Sequence, residues 1–452
     1  MTIVTSARAR LHDAIVMAEL PNYVYGYPSK RAYRPLAAPP TVADVWRDAP
    51  AELNLYAHIP FCSYRCAFCT LFLTTSQTPS LVDDYIDALI RQINMYGELL
   101  VDQRVVSIYV GGGTPTTLTP AQFRRFFAAI DRWFPHRSAE VEFGVEGSPD
   151  TMTPDRLRVL RQFGVNRISM GIQTLDQDEL ERIGRPYPLS TVDDAVAAIN
   201  EAGFDNVNYD LIYGLEGQTE ESWLRSLERT LAYQPTTITL YPVVFRPLTV
   251  IDRRHRLDEH GFAAAEAKYH LYDLSVAALA QRGYRQDSLV RFTTLDRDGY
   301  QQEAADFSGV PLLGLGAGAR SYAERVHYGT DFAVGRKATN EIIAGFVGHD
   351  HRPDERLSLG FELDDDEQQR RFIILTLSLG RLDPLAFSAR FPGGDLGLFI
   401  DEFDALLAEG CTSIDGLGRH CLTAKGFKYS SVIATLFRSP VVESLEEGYV
   451  PA

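Results

Sequence analysis

The chain has 452 residues, 45% of them apolar, a size that suits a large α/β barrel with a smaller appendage. Its 60 acidic against 44 basic residues give a net charge of −16, a repulsive field for any phosphate backbone, so nucleic acid is not an expected partner. No run of about 18 apolar residues occurs, and the opening MTIVTSARARLHDAIVMAELPN has no continuous apolar stretch ending in a small-residue cleavage site; no membrane partner and a cytoplasmic location are expected.

In chain order, residues 1–50 read as an N-terminal arm, with scattered prolines and the aromatic-basic stretch YVYGYPSKRAYRPL at Tyr23–Leu36, which has neither helical nor strand period. From Leu53 six β-rich runs follow: LNLYAHI, VVSIYVGG, EVEFGVEG, NRISMGIQ, NVNYDLIYG and TTITLYPV. Between them lie helical candidates at Ser80–Leu100, Pro120–Trp133 after the cap signal Thr119, Pro154–Phe163, Thr191–Ala202 and Glu220–Tyr233. Such alternation needs crossover connections and hence a parallel sheet with its helices outside. Six βα units do not close an eight-unit barrel, so the expected fold is α/β, a partial (β/α)6 barrel over 51–250 with its chemistry at the C-terminal strand ends. Residues 251–350 are expected to close the barrel. Residues 351–452 are expected to form a mainly helical domain (Asp365–Leu379, Asp395–Glu409) ending in TSIDGLGRHCLTAKGFKYSSVIATLF, whose order of helix, turn and helix resembles a winged helix.

Five cysteines, three of them within eight residues, make a poor disulfide framework and a good metal-binding one. HIPFCSYRCAFCT spaces Cys62, Cys66 and Cys69 as C-x3-C-x2-C directly after the first predicted strand. Three thiolates can bind three irons of a cubane and leave the fourth open to a chelating ligand, such as the amino and carboxylate groups of a methionine moiety. Structural zinc wants four ligands, and His58, four residues before Cys62, offers a fourth. Cys411 and Cys421 read as small core residues.

Further polar and glycine-rich positions fall at later strand ends. Gly111-Gly112-Gly113-Thr114-Pro115-Thr116 follows the second strand, where glycines let the backbone approach a ligand. Glu146 ends the third strand and suits a cationic amine or a ribose hydroxyl. Gln173, Arg185 and Asp210 sit at or near later ends in apolar or turn contexts, where buried polar groups need partners. The GLGAGA turn before Tyr322 lies outside any βαβ unit and is a weak nucleotide signal.

Tyr56-x-His58-Ile-Pro-Phe-Cys62 with Phe68-Cys69 resembles the radical S-adenosylmethionine (SAM) superfamily, in particular its HemN branch, named for oxygen-independent coproporphyrinogen III oxidase. The resemblance implies a radical SAM barrel, a [4Fe–4S] cluster on Cys62, Cys66 and Cys69, and reductive cleavage of SAM to a 5′-deoxyadenosyl radical, with the electron from a flavodoxin- or ferredoxin-type reductant. It implies SAM contacts at Tyr56, Phe68, Gly112, Gly113, Thr114 and Glu146, with Tyr56 and Glu146 as catalytic positions. A second SAM is implied at Gln173, Arg185, Asp210 and Val244, and the GLGAGA stretch is implied to complete the cavity.

Two reaction outcomes fit the resemblance: oxidative decarboxylation of a propionate side chain, and one-carbon transfer from the second SAM to an sp2 carbon. The acidic chain and a C-terminal domain unlike the namesake's favour the second, as C-methylation or cyclopropanation of an aromatic or heteroaromatic small molecule. In the arm, Lys30, Arg31 and Arg34 among Tyr23, Tyr25, Tyr27 and Tyr33 suit an anionic macrocycle or a flat aromatic ring. Non-enzyme alternatives are a haem-binding chaperone using His420-Cys421, and a DNA-binding tail, for which KGFKYSSVIATLF supplies only two lysines.

Overall fold

The structure is a computed structural model and describes residues 6–18, 23–258, 261–296 and 299–449. Strands β1 (Glu52–Ile59), β2 (Arg104–Gly112), β3 (Arg137–Gly147), β4 (Arg167–Gln173), β5 (Asn206–Tyr213) and β6 (Thr237–Pro242) lie side by side in chain order, all parallel. They form a partial barrel, and each predicted β-rich run supplies one of its strands.

The crossover helices begin where threonine can satisfy the free N–H groups of a first turn. Thr78 caps Pro79–Leu100, Thr119 forms a capping box with Gln122 at the head of Pro120–Trp133, and Thr219 caps Glu220–Ala232. Each helix then buries one stripe. In Pro120–Trp133 this is Phe123, Phe126, Phe127 and Ile130, which pack on the outer face of the sheet with Phe143 of β3.

The sheet runs on at both edges, to 13 strands among the described residues. Leu312–Leu315 adds a seventh parallel strand beside β1, with Leu312 opposite Asn54. Beyond it, Arg320–Tyr322, Val326–Gly329, Leu359–Glu362 and Arg34–Pro35 continue antiparallel. At the other edge Arg291–Thr293 runs antiparallel to β6 and is followed by Arg285–Gln286. These strands have two to four residues, too few to show a period of two.

The arm departs from its expected lack of regular structure. Ala7–Val16 is a helix capped by Ser6, and Val42–Trp46 starts with a Thr41–Asp44 capping box. Ala7 and Leu11 join the C-terminal core around Phe403 and Leu406. The Tyr27 hydroxyl donates to Glu367 Oε2 (2.7 Å) and accepts the Ser439 N–H (3.1 Å). Arg31 and Arg34, read from sequence as possible substrate grips, instead donate to the carbonyls of Glu446 (2.9 Å) and Leu445 (2.6 Å) and fasten the arm to helix Pro440–Glu447.

The C-terminal part is mainly helical, around a three-stranded antiparallel sheet of Arg381–Leu382, His420–Leu422 and Thr412–Ile414. Its lysines are engaged: Lys425 Nζ donates to the Glu409 carbonyl (2.7 Å), and Lys428 pairs with Asp273 (2.6 Å). Cys411 is buried in this core and Cys421 is half-buried. Among the described residues no helix is long and apolar enough to cross a membrane.

Candidate active site

The loop after β1 is folded back on itself by its backbone. The Cys62 N–H donates to the Thr74 carbonyl (3.0 Å), the Thr74 N–H to Pro60 (2.7 Å) and the Ala67 N–H to Ile183 (2.9 Å). This places Cys62, Cys66 and Cys69 on the wall of one cavity of about 320 Å3. His58 is not with them as a ligand. Its Nε2 donates to the Phe72 carbonyl (2.8 Å) and its Nδ1 accepts from the Tyr56 hydroxyl (3.0 Å), so both ring nitrogens are occupied. Burial pushes its pKa down to about 4, and the ring is neutral.

With both ring nitrogens of His58 engaged, the loop offers three thiols, which suit three irons of a cubane and fall one short of the four ligands of a structural zinc. Burial raises the Cys66 thiol and pushes Cys69 up to about 12, so iron binding has to expel their protons.

The glycine turn packs directly against this loop. Gly113 and Thr114 donate their N–H groups to Ile59 and Phe61 (both 2.8 Å), and Cys62 Sγ lies 3.1 Å from Thr114 Oγ1. A Cβ on Gly113 would stand 2.6 Å from the Phe61 carbonyl oxygen, so glycine is needed for the close approach of two loops as well as for any ligand. The Gly112 N–H, at φ +124°, donates to Glu146 Oε2 (3.1 Å).

Glu146 and Asp210 face the same space. Burial, reinforced by the charge of Asp210, pushes Glu146 up to about 7. Burial likewise raises Asp210 to about 6, opposed by the hydrogen bond from Asn208 Nδ2 (2.7 Å). Each enclosed carboxylate could receive a cationic ligand group. Arg185 Nη1 donates to the Gly171 carbonyl and to the Tyr187 hydroxyl, each at 2.6 Å, while its buried Nε has no partner, a donor suited to a ligand carboxylate. Gln173, at φ +74°, Phe68 and Val244 line the same cavity as the cysteines.

Phe68, Gly113, Thr114, Glu146, Gln173, Arg185, Asp210 and Val244 are therefore brought together around the triad. Thiols for iron, enclosed carboxylates for amines and an orphan guanidinium N–H for a carboxylate fit a cluster and amino-acid ligands. Tyr56 faces a second cavity of about 340 Å3, and Glu146, Asp210, Ser169 and Tyr241 line both.

The second cavity takes Tyr23 and Tyr25 from the arm and adds residues that sequence reasoning missed, among them Tyr109, Tyr241, Tyr300 and Tyr322. Three arginines also reach it. Arg167 lies 3.9 Å from Glu142, Arg291 is held between Asp287 (2.8 Å) and Glu303, and Arg320 has no carboxylate within ion-pair distance among the described residues.

Residues 56–230 match the Radical SAM superfamily. The heme chaperone HemW of Lactococcus lactis is 32% identical over 277 residues, covering 61% of this chain and 71% of its own. The oxygen-independent coproporphyrinogen III oxidase of Synechocystis sp. is 29% identical over 338 residues, covering 72% of this chain and 70% of its own. In three dimensions, coproporphyrinogen III oxidase (HemN) from Escherichia coli, a radical SAM enzyme, shares the fold with a TM-score of 0.78 at 24% identity, over 92% of this chain and 96% of that one. The cysteine motif, the family match and the 32%-identical relative agree, on a shared fold, and the protein belongs to the HemN-like branch of the radical SAM superfamily.

Proposed function

We propose that this radical SAM enzyme transfers one carbon, by C-methylation or cyclopropanation, to an sp2 carbon of an aromatic or heteroaromatic small molecule, with one SAM cleaved and a second as the carbon donor. The charge inventory of the second cavity carries this reading. Its walls are tyrosine-rich, and two of its three arginines are already neutralised by Glu142, Asp287 and Glu303. A macrocycle with several carboxylates needs a partner for each buried charge, whereas a flat ring needs the aromatic faces present here.

The family fold implies a [4Fe–4S] cluster and SAM, which together supply a 5′-deoxyadenosyl radical able to take hydrogen from unactivated carbon. In this reading Cys62, Cys66 and Cys69 hold the cluster, the Gly112–Thr114 backbone and Glu146 hold the methionyl amine, and Phe68 and Tyr56 shape the site. Gln173, Arg185, Asp210 and Val244 hold the second SAM, a placement supported by their lining the same cavity as the cysteines. The protein's own work is to orient these groups and exclude water. A flavodoxin- or ferredoxin-type protein is the proposed electron source.

The names of the relatives favour two other readings, oxidative decarboxylation and haem carriage. For the second, His420 has a buried Nδ1 without a partner, although its ring lies against Phe403 with centroids 4.4 Å apart. One anaerobic experiment separates the three. Reconstituted enzyme with methyl-deuterated SAM and an aromatic substrate is expected to place deuterium in 5′-deoxyadenosine and to add one carbon to the substrate. Decarboxylation of coproporphyrinogen III without deuterium transfer would overturn the proposal. So would a haem Soret band that is lost on His420→Ala.

A further inference from the structure

We infer that Arg320, assisted by Lys30, forms a subsite in the second cavity for a single carboxylate of the substrate. The inference rests on that cavity being the aromatic-substrate site. Arg320 opens the strand Arg320–Tyr322, where pairing with Gly329 fixes its backbone. Its guanidinium lies 5.5 Å from the Tyr25 ring centroid, and Tyr25, Tyr56 and Tyr322 line the cavity with it.

What distinguishes Arg320 is the lack of an ion pair. Its guanidinium donates no hydrogen bond to a described residue and no carboxylate among them lies within 4.0 Å, although its charge is felt at Asp306. Asp306, which also lines the cavity, is held by Arg371 through Nη2 (2.7 Å), with a further bond from Nη1 to the Asp306 carbonyl (3.0 Å). A guanidinium keeps its charge at any physiological pH, and an enclosed charge without partners is costly to maintain. Because Arg320 lines open space, a ligand carboxylate can engage its donor fork in bidentate fashion.

Lys30 adds a second positive charge behind the wall near Arg320. Its Nζ lies 2.8 Å from the ring centroid of Phe332, a cavity-wall residue, and it has no acidic partner among the described residues. Burial, with Arg320 as the next cause, pushes its pKa down to about 7, so a bound anion would favour its charged form. The enclosed acids Glu146 and Asp210 lie on the wall shared with the cysteine cavity. The space is thus polarised, and an aromatic acid would place its carboxylate on Arg320 and its ring among the tyrosines.

Anaerobic calorimetric titration of holoenzyme with 2-naphthoate and with the neutral 2-naphthamide tests this. The acid is expected to bind at least about tenfold tighter, the scale of a hydrogen bond to a charged group. Arg320→Gln should remove that preference and leave amide affinity unchanged, and Lys30→Met should reduce it about threefold. Equal binding of both probes to the wild type would overturn the subsite and leave the aromatic cavity standing. Failure of both probes to bind would overturn the cavity reading and the subsite together. A preference that persists in Arg320→Gln would also refute the assignment. If Arg320→Gln weakens SAM in equilibrium dialysis but not naphthoate, the guanidinium holds the methionyl carboxylate and the substrate assignment fails.

Discussion

Glu146→Gln tests the electrostatics of the site most directly. The folded carboxyl titrates near 7 instead of its ordinary 4.5, because burial and then the charge of Asp210 disfavour ionisation. Below pH 4.5 the residue is protonated in both the folded and the unfolded chain. Between 4.5 and 7 the unfolded chain releases the proton while the folded one keeps it, so stability present at low pH is lost as pH rises to about 7. At 1.36 kcal/mol per pH unit, the loss attributable to this residue is on the order of 3 kcal/mol. Glutamine keeps the shape and can still accept from the Gly112 N–H, but it carries no charge. In cluster-free protein unfolded by urea at pH 5 and pH 8, Glu146→Gln should therefore gain on wild type by roughly 2–3 kcal/mol across the interval. Its affinity for SAM should fall, and wild-type SAM binding should weaken on acidification below about pH 7 as Glu146 takes up a proton. Parallel stability profiles for the two proteins would show that Glu146 is an ordinary exposed carboxylate and refute the reasoning.

Three further outcomes are expected. Cys66→Ala, purified anaerobically, should lose bound iron and form no 5′-deoxyadenosine; full SAM cleavage by this variant would sink the cluster assignment. Gly113→Ala should lower SAM affinity about tenfold or more, because its Cβ would meet the Phe61 carbonyl at 2.6 Å and displace the turn from the cysteine loop. Gly164→Ala, at φ +82° with open space around it, should affect folding stability and leave SAM binding unchanged, so equal SAM affinities in the two variants would count against the packing argument. Tyr27→Phe leaves buried Glu367 and the Ser439 N–H each short of a partner, and should cost about 1–3 kcal/mol in urea unfolding. A change within error would show that the arm is not fastened there.

Local signals made much of the barrel legible. Short β-rich runs, threonine caps and proline at the first helical position are properties of neighbours in the chain, and six strands with their crossover helices follow from them. The cysteine triad was legible for the same reason, since Cys62, Cys66 and Cys69 lie within one short loop. The strand-end residues Glu146, Gln173, Arg185 and Asp210 became readable only through the family likeness, because each is separated from the triad by 77 residues or more of chain, as Glu146 is from Cys69.

Pairings over long chain separations were decided by the tertiary structure alone. His58 stood as a possible zinc ligand until Phe72 and Tyr56 were seen to occupy both of its nitrogens. Arg31 and Arg34 had the same standing as Lys30 until the C-terminal helix took the two guanidinium groups. Arg167, Arg291 and Arg320 each lie in a strand, and nothing local tells them apart. The fold sets Glu142 near the first, Asp287 and Glu303 against the second, and no carboxylate within ion-pair distance of the third among the described residues. Periodicity and caps depend on nearest neighbours and can be read along the chain, whereas the charge state of a cavity depends on which distant side chains the fold brings within a few ångströms.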